Sequence, residues 1–403
     1  MVGKTPERAI GAEVRPGFVH GLLLLMGIWL NGIASGAISP VLPQIARQFP
    51  DTPSLDLWVG LVGTMPALAV AILAIPIGAL ADKIGQRPIL LAGLLVYGLA
   101  GLAPLALNSL HIIVFDRLVV GIGEAAVMTA STGMLGLYFT GASRDRWLSA
   151  QVATANIMGV VFVFVGGMLG TFGWRFPFSV YVLALLLFVP TFFVIREPRR
   201  VTENEAANRT PLGRAALLKL VRNLCVIILL AAAIFVVIVQ MSFMLDERGA
   251  ASSGEIGIGI GLSATGIALG ATLAGLLTRF SARNRLALAL AIAAAGFAAM
   301  AQVNGLTATV AFGFLGGFGC GVGIATLLGA TVSAAPAHLL GRVAGAWSSA
   351  VFLGQFANAP LFVLGQRVFG SLPNAITAFA VVCAATAFLA LLLRPRAWSP
   401  EPA

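Results

Sequence analysis

From residue 18 to residue 393 the chain is a succession of long apolar runs separated by short polar breaks. Twelve runs can be drawn, at about 18–45, 57–80, 88–107, 110–137, 148–172, 177–195, 223–245, 256–278, 286–302, 306–334, 343–366 and 374–393. None shows the alternation of polar and apolar positions that marks a half-buried strand or a membrane barrel. Several exceed twenty residues, and a bilayer core about 30 Å thick takes about 20 apolar residues per helical span. In lipid every backbone polar group must be paired within the protein, which a helix does inside its own segment. The pattern therefore predicts an all-α membrane protein with twelve transmembrane helices.

Composition agrees: 59% of the 403 residues are hydrophobic and 10% are charged, against about a quarter charged in an ordinary soluble domain. The first run follows Lys4, Arg8 and Arg15. It continues past the apolar core of a secretory signal and lacks a clean cleavage site, so it reads as the first span. Cys225, Cys320 and Cys383 each fall inside an apolar run, where small buried packing residues are expected, and they have no metal-ligand spacing.

The net charge of +10 raises the question of a nucleic-acid partner, and its distribution answers it. With a cytoplasmic amino terminus and alternating spans, 20 of the 25 Lys and Arg residues fall on the cytoplasmic side, and Arg47, Arg117, Arg175, Arg248 and Arg367 fall on or toward the other. This is the positive-inside bias of a multi-pass protein of the cell inner membrane with both termini in the cytoplasm. It accounts for the basic character without nucleic acid.

The longest polar stretch, residues 197–222, divides the spans six and six. The expected organisation is an amino-terminal six-helix bundle (1–196), a cytoplasmic central loop (197–222) and a carboxy-terminal six-helix bundle (223–403). A shift of 197 lays Gly78-x-Leu80 on Gly275-x-Leu277. A shift of 196 lays Gly121-x-Gly123 on Gly317-x-Gly319 and Arg146 on Arg342. Such repeats are typical of carriers that rock one bundle against the other around a midplane site.

Between spans 2 and 3 stands GALADKIGQRPIL, Gly78 to Leu90. It resembles the major facilitator superfamily signature G-x-L-A-D-[RK]-x-G-[RK]-[RK]. Gly78, Leu80, Ala81, Asp82, Lys83, Gly85 and Arg87 match in order, and Gln86 replaces a basic residue. The resemblance implies the major facilitator fold of two pseudo-symmetric bundles, with this motif gating the change of conformation. Its aspartate is implied to hold the halves together in the outward-open state. Physically, Asp82 suits a helix amino terminus or an arginine partner. The second-half equivalent, GLLTRFSARNR, has Arg279 where the acid would be.

Span 4 holds the charges at membrane depth: Asp116, Arg117 and Glu124. Arg117, Gly121, Glu124 and Met128 recur at three- and four-residue steps and share a helix face. An ionisable group at that depth is costly and marks function by default. The run Arg117-x-x-x-Gly121-x-Gly123-x-Ala125 resembles the superfamily's fourth-span motif, whose arginine is implied in proton coupling or substrate binding. The form Gly121-x-Gly123-Glu124-Ala125 looks like organic-anion symporters and Spinster-type carriers. Glu124, the one acid in the middle of a span, is the first choice of proton carrier, with Arg117 and Asp116 beside it; a fixed Arg117–Glu124 ion pair is the structural alternative. In span 5, Gly166 and Gly167 match the end of the antiporter pattern G-x-x-x-G-P-x-x-G-G, while Phe162 and Val163 stand where its glycine and proline belong. ISPVLPQIA in span 1 and GQFANAPL in span 11 look like drug exporters of the superfamily.

Asn31, Met128, Asn156, Gln240, Gln355 and Asn358 are the expected substrate-cavity residues, and each amide can equally join helices. The remaining wall of glycine, alanine, methionine and phenylalanine suits an amphiphilic solute better than a sugar. The three histidines, His20, His111 and His338, have no ligand partner at helical spacing, so no metal and no enzyme is expected. No cofactor is expected either, and the chain lacks a P-loop, so ATP is not the energy source. The sequence thus predicts a monomeric secondary transporter, surrounded by membrane lipid, that moves a small amphiphilic or organic anionic molecule by alternating access. Protons drive it, and efflux is favoured over import. The alternatives are a proton- or cation-coupled importer of an organic anion and a non-transporting membrane sensor.

Overall fold

The computed structural model describes residues 16–197, 214–277, 279–333 and 340–392, in which no strand occurs. Twelve helical spans follow in order: α1 (Phe18–Gln48), α2 (Leu55–Ile84), α3 (Gln86–Leu102), α4 (Leu110–Tyr138), α5 (Gly141–Gly170) and α6 (Val182–Val194). The second half has α7 (Leu217–Glu247), α8 (Ser253–Leu273), α9 (Ala282–Gln302), α10 (Leu306–Ser333), α11 (Leu340–Phe369) and α12 (Leu372–Leu392). Among the described residues eleven helices are long and apolar enough to cross a membrane, and they leave out α4, the helix that carries Asp116, Arg117 and Glu124.

Short links make neighbours antiparallel, so the first and last described helical residues, Phe18 and Leu392, lie at one face, here the near face. The turns at 48–55, 102–110, 170–182, 247–253, 302–306 and 369–372 lie at the far face. Within the first half α4 packs on α2 and α3, and α3 on α6. Within the second half α10 packs on α8 and α9, and α9 on α12. The same scheme is therefore built twice. Across the halves α2 lies on α11 and α5 on α8.

Two helices of the second half begin at serine caps. Ser252 accepts from the Glu255 amide at the start of α8, and Ser281 from the Asn284 amide at the start of α9. Both α1 and α7 break from α-geometry near mid-span into π turns, Ile33–Ala37 and Val236–Gln240, a local irregularity often found at functional sites.

Hydropathy marked the lipid-embedded length and missed the wetter ends. α5 starts seven residues before 148, through the charged turn Arg144-Asp145-Arg146, and a helix is already present at Arg214, inside the polar stretch that begins at 197. The expectation that all three cysteines are buried is corrected: Cys320 and Cys383 are buried, but Cys225 is exposed, on a face of α7 that an apolar run alone does not distinguish from the packed one. Lys4, Arg8, Arg15, Arg199, Arg200, Arg209, His338, Arg394 and Arg396 lie outside the described residues, as does the side chain of Arg342.

Candidate functional site

A cavity of about 390 Å³ opens between the two halves, within the size range of small-molecule sites. Its walls come from α1, α2, α4 and α5 on one side and α7, α8, α10 and α11 on the other. Toward the near face it is flanked by Val152 of α5, Ala271 of α8, Leu328 of α10 and Trp347 of α11. Val152 is 60% exposed and lies on the cavity wall, so the cavity is not closed over beside it.

At the far face the halves are closed. α5 and α8 cross so tightly that a Cβ on Gly167 would sit 2.8 Å from the Gly257 Cα, and one on Gly257 equally close to the Gly167 Cα. Ser253 Oγ donates to the Gly167 carbonyl, and Gly166 presses on the Ala37 carbonyl of α1. Small residues permit this backbone approach. Arg47 at the end of α1 makes two bonds, at 2.9 and 2.7 Å, to Asp246 at the end of α7, and Ser39 Oγ donates to the Ile238 carbonyl.

The expected cavity residues divide into two groups. Asn31, Asn156, Gln355 and Glu124 line it. Met128, Gln240 and Asn358 are not on its wall. Met128 Sδ accepts from Asn31 Nδ2. Gln240 Nε2 donates to Asn358 Oδ1, and Asn358 Nδ2 donates to the Ala232 carbonyl. That buried pair joins α7 to α11 and satisfies polar groups that would be costly alone.

The three charges of α4 also separate. Arg117 is fully buried and has a 2.6 Å ion pair with Asp116. Its Nη1 donates to the Tyr181 hydroxyl at 3.0 Å, and the guanidinium lies over the rings of Phe178 and Tyr181. Glu124, two turns along, accepts from Asn31 Nδ2 of α1. The Arg117–Glu124 ion pair weighed from the sequence is thus replaced by two separate partnerships. Tyr97 stands between them: its ring is 4.9 Å from that of Tyr181, and its hydroxyl donates to the Leu30 carbonyl of α1. Glu124 is the ionisable side chain on the cavity wall, and no Lys or Arg among the described residues lines it.

The α2–α3 signature forms a tight turn. Gly85 has φ +113°, a conformation that favours glycine. The next two amides, of Gln86 and Arg87, donate to the Glu197 carboxylate just beyond α6, so a negative charge caps the positive end of α3. Arg87 donates from Nε to the Ile195 carbonyl and from Nη2 to the Phe192 carbonyl. Asp82 accepts from Gln86 Nε2 within the turn, and Asp82 and Lys83 are exposed while Gly78 lies against the Thr129 methyl.

Sequence reasoning missed Glu197, Phe178, Tyr97 and Tyr181. A signal was present for the tyrosines: the chain has only three, and all three hydroxyls bond across helices or to the chain after α6. Among the described residues no group of three or more His, Cys, Asp or Glu side chains is placed to hold a metal ion.

The sequence model of the Major Facilitator Superfamily matches residues 24–357. The tetracycline resistance protein, class B, of Escherichia coli is 30% identical over 183 residues, 44% of each chain. The tetracycline resistance protein, class H, of Pasteurella multocida is 27% identical over 196 residues, 48% of each. The multidrug efflux pump LfrA of Mycolicibacterium smegmatis is 27% identical over 217 residues, 52% of this chain and 38% of that one. The matches span about half the length of these curated relatives or less. Among solved structures, a bacterial homolog of the human lysosomal transporter Spinster, inward-facing and unoccupied, superposes with a TM-score of 0.77 at 19% identity. That match covers 96% of this chain and 98% of the other. The inward-open xylose transporter XylE of E. coli superposes with a TM-score of 0.71 at 14% identity over 93% and 95% of the two chains. At these identities the superpositions establish the fold.

Proposed function

The chain belongs to the Major Facilitator Superfamily, and we propose that it is a proton-coupled secondary transporter exporting a small amphiphilic solute by alternating access. The observation that carries this reading is the cavity itself: it lies between two similarly built halves, sealed at the far face by the Gly167–Gly257 crossing and open toward the near face. The excess of Lys and Arg on the near-face links supports placing that face, and with it both termini, on the cytoplasmic side of a cell inner membrane. The structure then corresponds to the inward-open state. Glu124 is the proton carrier of the proposal, since it is the one acid on the cavity wall among the described residues, and the Asp116–Arg117 pair holds α4 to α3 and to Tyr181, just before α6, behind it. The resistance and efflux proteins among the relatives support export.

The test is transport of a panel of labelled amphiphiles in sealed proteoliposomes, with and without an imposed pH gradient. Movement that follows the gradient and stops with a protonophore is the expected result. Movement equal in both conditions would make the protein a facilitator and remove the coupling role of Glu124.

A further inference from the structure

The electrostatics of the cavity limit what it accepts. Among the described residues its wall is mainly apolar, with Asn31, Asn156 and Gln355 as amides and Glu124 as the one ionisable group. Arg117 brings no compensating positive charge to it, because that guanidinium is fully buried behind Asp116, Tyr181 and Phe178. Glu124 has one oxygen, Oε1, engaged by Asn31, and Oε2 has no hydrogen-bond partner among the described residues. A carboxylate so enclosed is costly when ionised and unpaired, and a cation beside it offsets that cost. A solute anion would meet like charge with no basic group to hold it.

We propose that the cavity selects amphiphiles carrying a positively charged nitrogen, with the cationic group against Glu124 and Asn31 and the apolar body on Ile234, Ile267, Val351 and Trp347. Trp347 belongs to the second half and Glu124 to the first, so a ligand of this shape touches both bundles. The indole face of Trp347 also tolerates an organic cation as it passes toward the acid. The uncharged amides orient a head group and leave its charge preference to Glu124. This inference names the solute class of the transporter proposed above and rests on that reading for its transport consequence, though not for binding.

The experiment measures binding to the full-length protein in lipid nanodiscs with three probes of one phenylalkyl scaffold. One ends in trimethylammonium, one in its uncharged tert-butyl isostere and one in a carboxylate. The trimethylammonium probe should bind at least about tenfold tighter than the isostere, a difference of about 1.4 kcal/mol, and the carboxylate should bind weakest. Glu124→Gln should bring the first two to within about threefold of each other, with folding verified by thermal unfolding. Gln355→Lys, which places a cation in the same cavity, should weaken the ammonium probe and strengthen the carboxylate. Equal binding of the ammonium and tert-butyl probes, tightest binding of the carboxylate, or an ammonium preference that survives Glu124→Gln would each overturn the proposal. Failure of the transport reading looks different: the ammonium preference would be present in nanodiscs while no probe crosses the proteoliposome membrane. Gradient-driven movement of the uncharged probe without any ammonium preference would sink this inference and leave the transport reading standing.

Discussion

Helices α4 and α10 occupy equivalent places in the two halves, and a shift of 196 residues lays one on the other. Their glycines behave alike. Gly121 of α4 presses on Pro66 and Ala69 of α2, and Gly317 of α10 on Ser263 and Ile267 of α8. A Cβ on Gly123 would sit 2.6 Å from the Tyr97 amide nitrogen in α3, and one on Gly319 would sit 2.5 Å from the Ala289 carbonyl oxygen in α9. The chemistry differs completely: Asp116, Arg117 and Glu124 correspond to Phe312, Gly313 and Cys320. Backbone approach is thus a requirement of the architecture and is present in both copies. Charge at membrane depth is confined to one copy, the one in which the proposed proton coupling is placed.

The largest break in this comparison should come from Arg117→Ala. Removing one member of a buried pair costs about 3–5 kcal/mol, and here it also takes the donor from the Tyr181 hydroxyl. The variant is expected to unfold in detergent well below the parent's temperature. Gly313→Ala, whose new methyl meets only the movable ends of Ser263 and Met241, should stay close to the parent. Equal losses at the two positions would mean that α10 has the same internal demands as α4.

Gly123→Ala and Gly319→Ala sharpen the shared half of the comparison. Each pushes a methyl into backbone of the neighbouring helix, so both should destabilise by about 1–3 kcal/mol, read by the same unfolding assay. A loss confined to one of them would show that the two packing seams are not equivalent.

Glu124→Gln should change stability less, by about 1 kcal/mol, because the amide oxygen still accepts from Asn31. It should nevertheless abolish accumulation driven by a pH gradient, while Cys320→Ser at the equivalent place leaves accumulation intact. Transport by Glu124→Gln at the parent's gradient dependence would move the coupling elsewhere. The smallest effect belongs to Arg47→Ala, since the Arg47 side chain is 61% exposed and such surface pairs contribute about 0.2–1 kcal/mol. Spin-label distances across the far face should broaden slightly, and added salt should reproduce the broadening in the parent.

Much of this architecture was legible because lipid imposes a simple code: run length located all twelve spans. The code ends where water begins, which is why the charged start of α5 and the helix already present at Arg214 were not drawn as span. Spacing along α4 placed Arg117 and Glu124 on one face, yet it could not show that Asp116 and Asn31 take them as separate partners. Those partners depend on which helices neighbour α4. For the same reason Asn31 and Gln240, both amides near π turns, read identically in the sequence. One ends on the cavity wall and the other in a buried bond to Asn358. Glu197 was lost among the charges of the central stretch, because its meaning is the pair of amides at the start of α3.

For the proposed export, the crossing of α5 over α8 is the seal that has to part. Gly167 lies three residues from the far-face end of a 30-residue helix, so about 39 Å of rigid helix extends from it to Gly141 at a rise of about 1.5 Å per residue. In the proposed export cycle, a tilt of about 10° about the near-face end of that helix would carry the crossing through about 7 Å, enough to part the far-face seal. The two glycines meet backbone to backbone, so parting them in that cycle breaks the Ser253 Oγ bond to the Gly167 carbonyl without unlocking a side chain at either glycine.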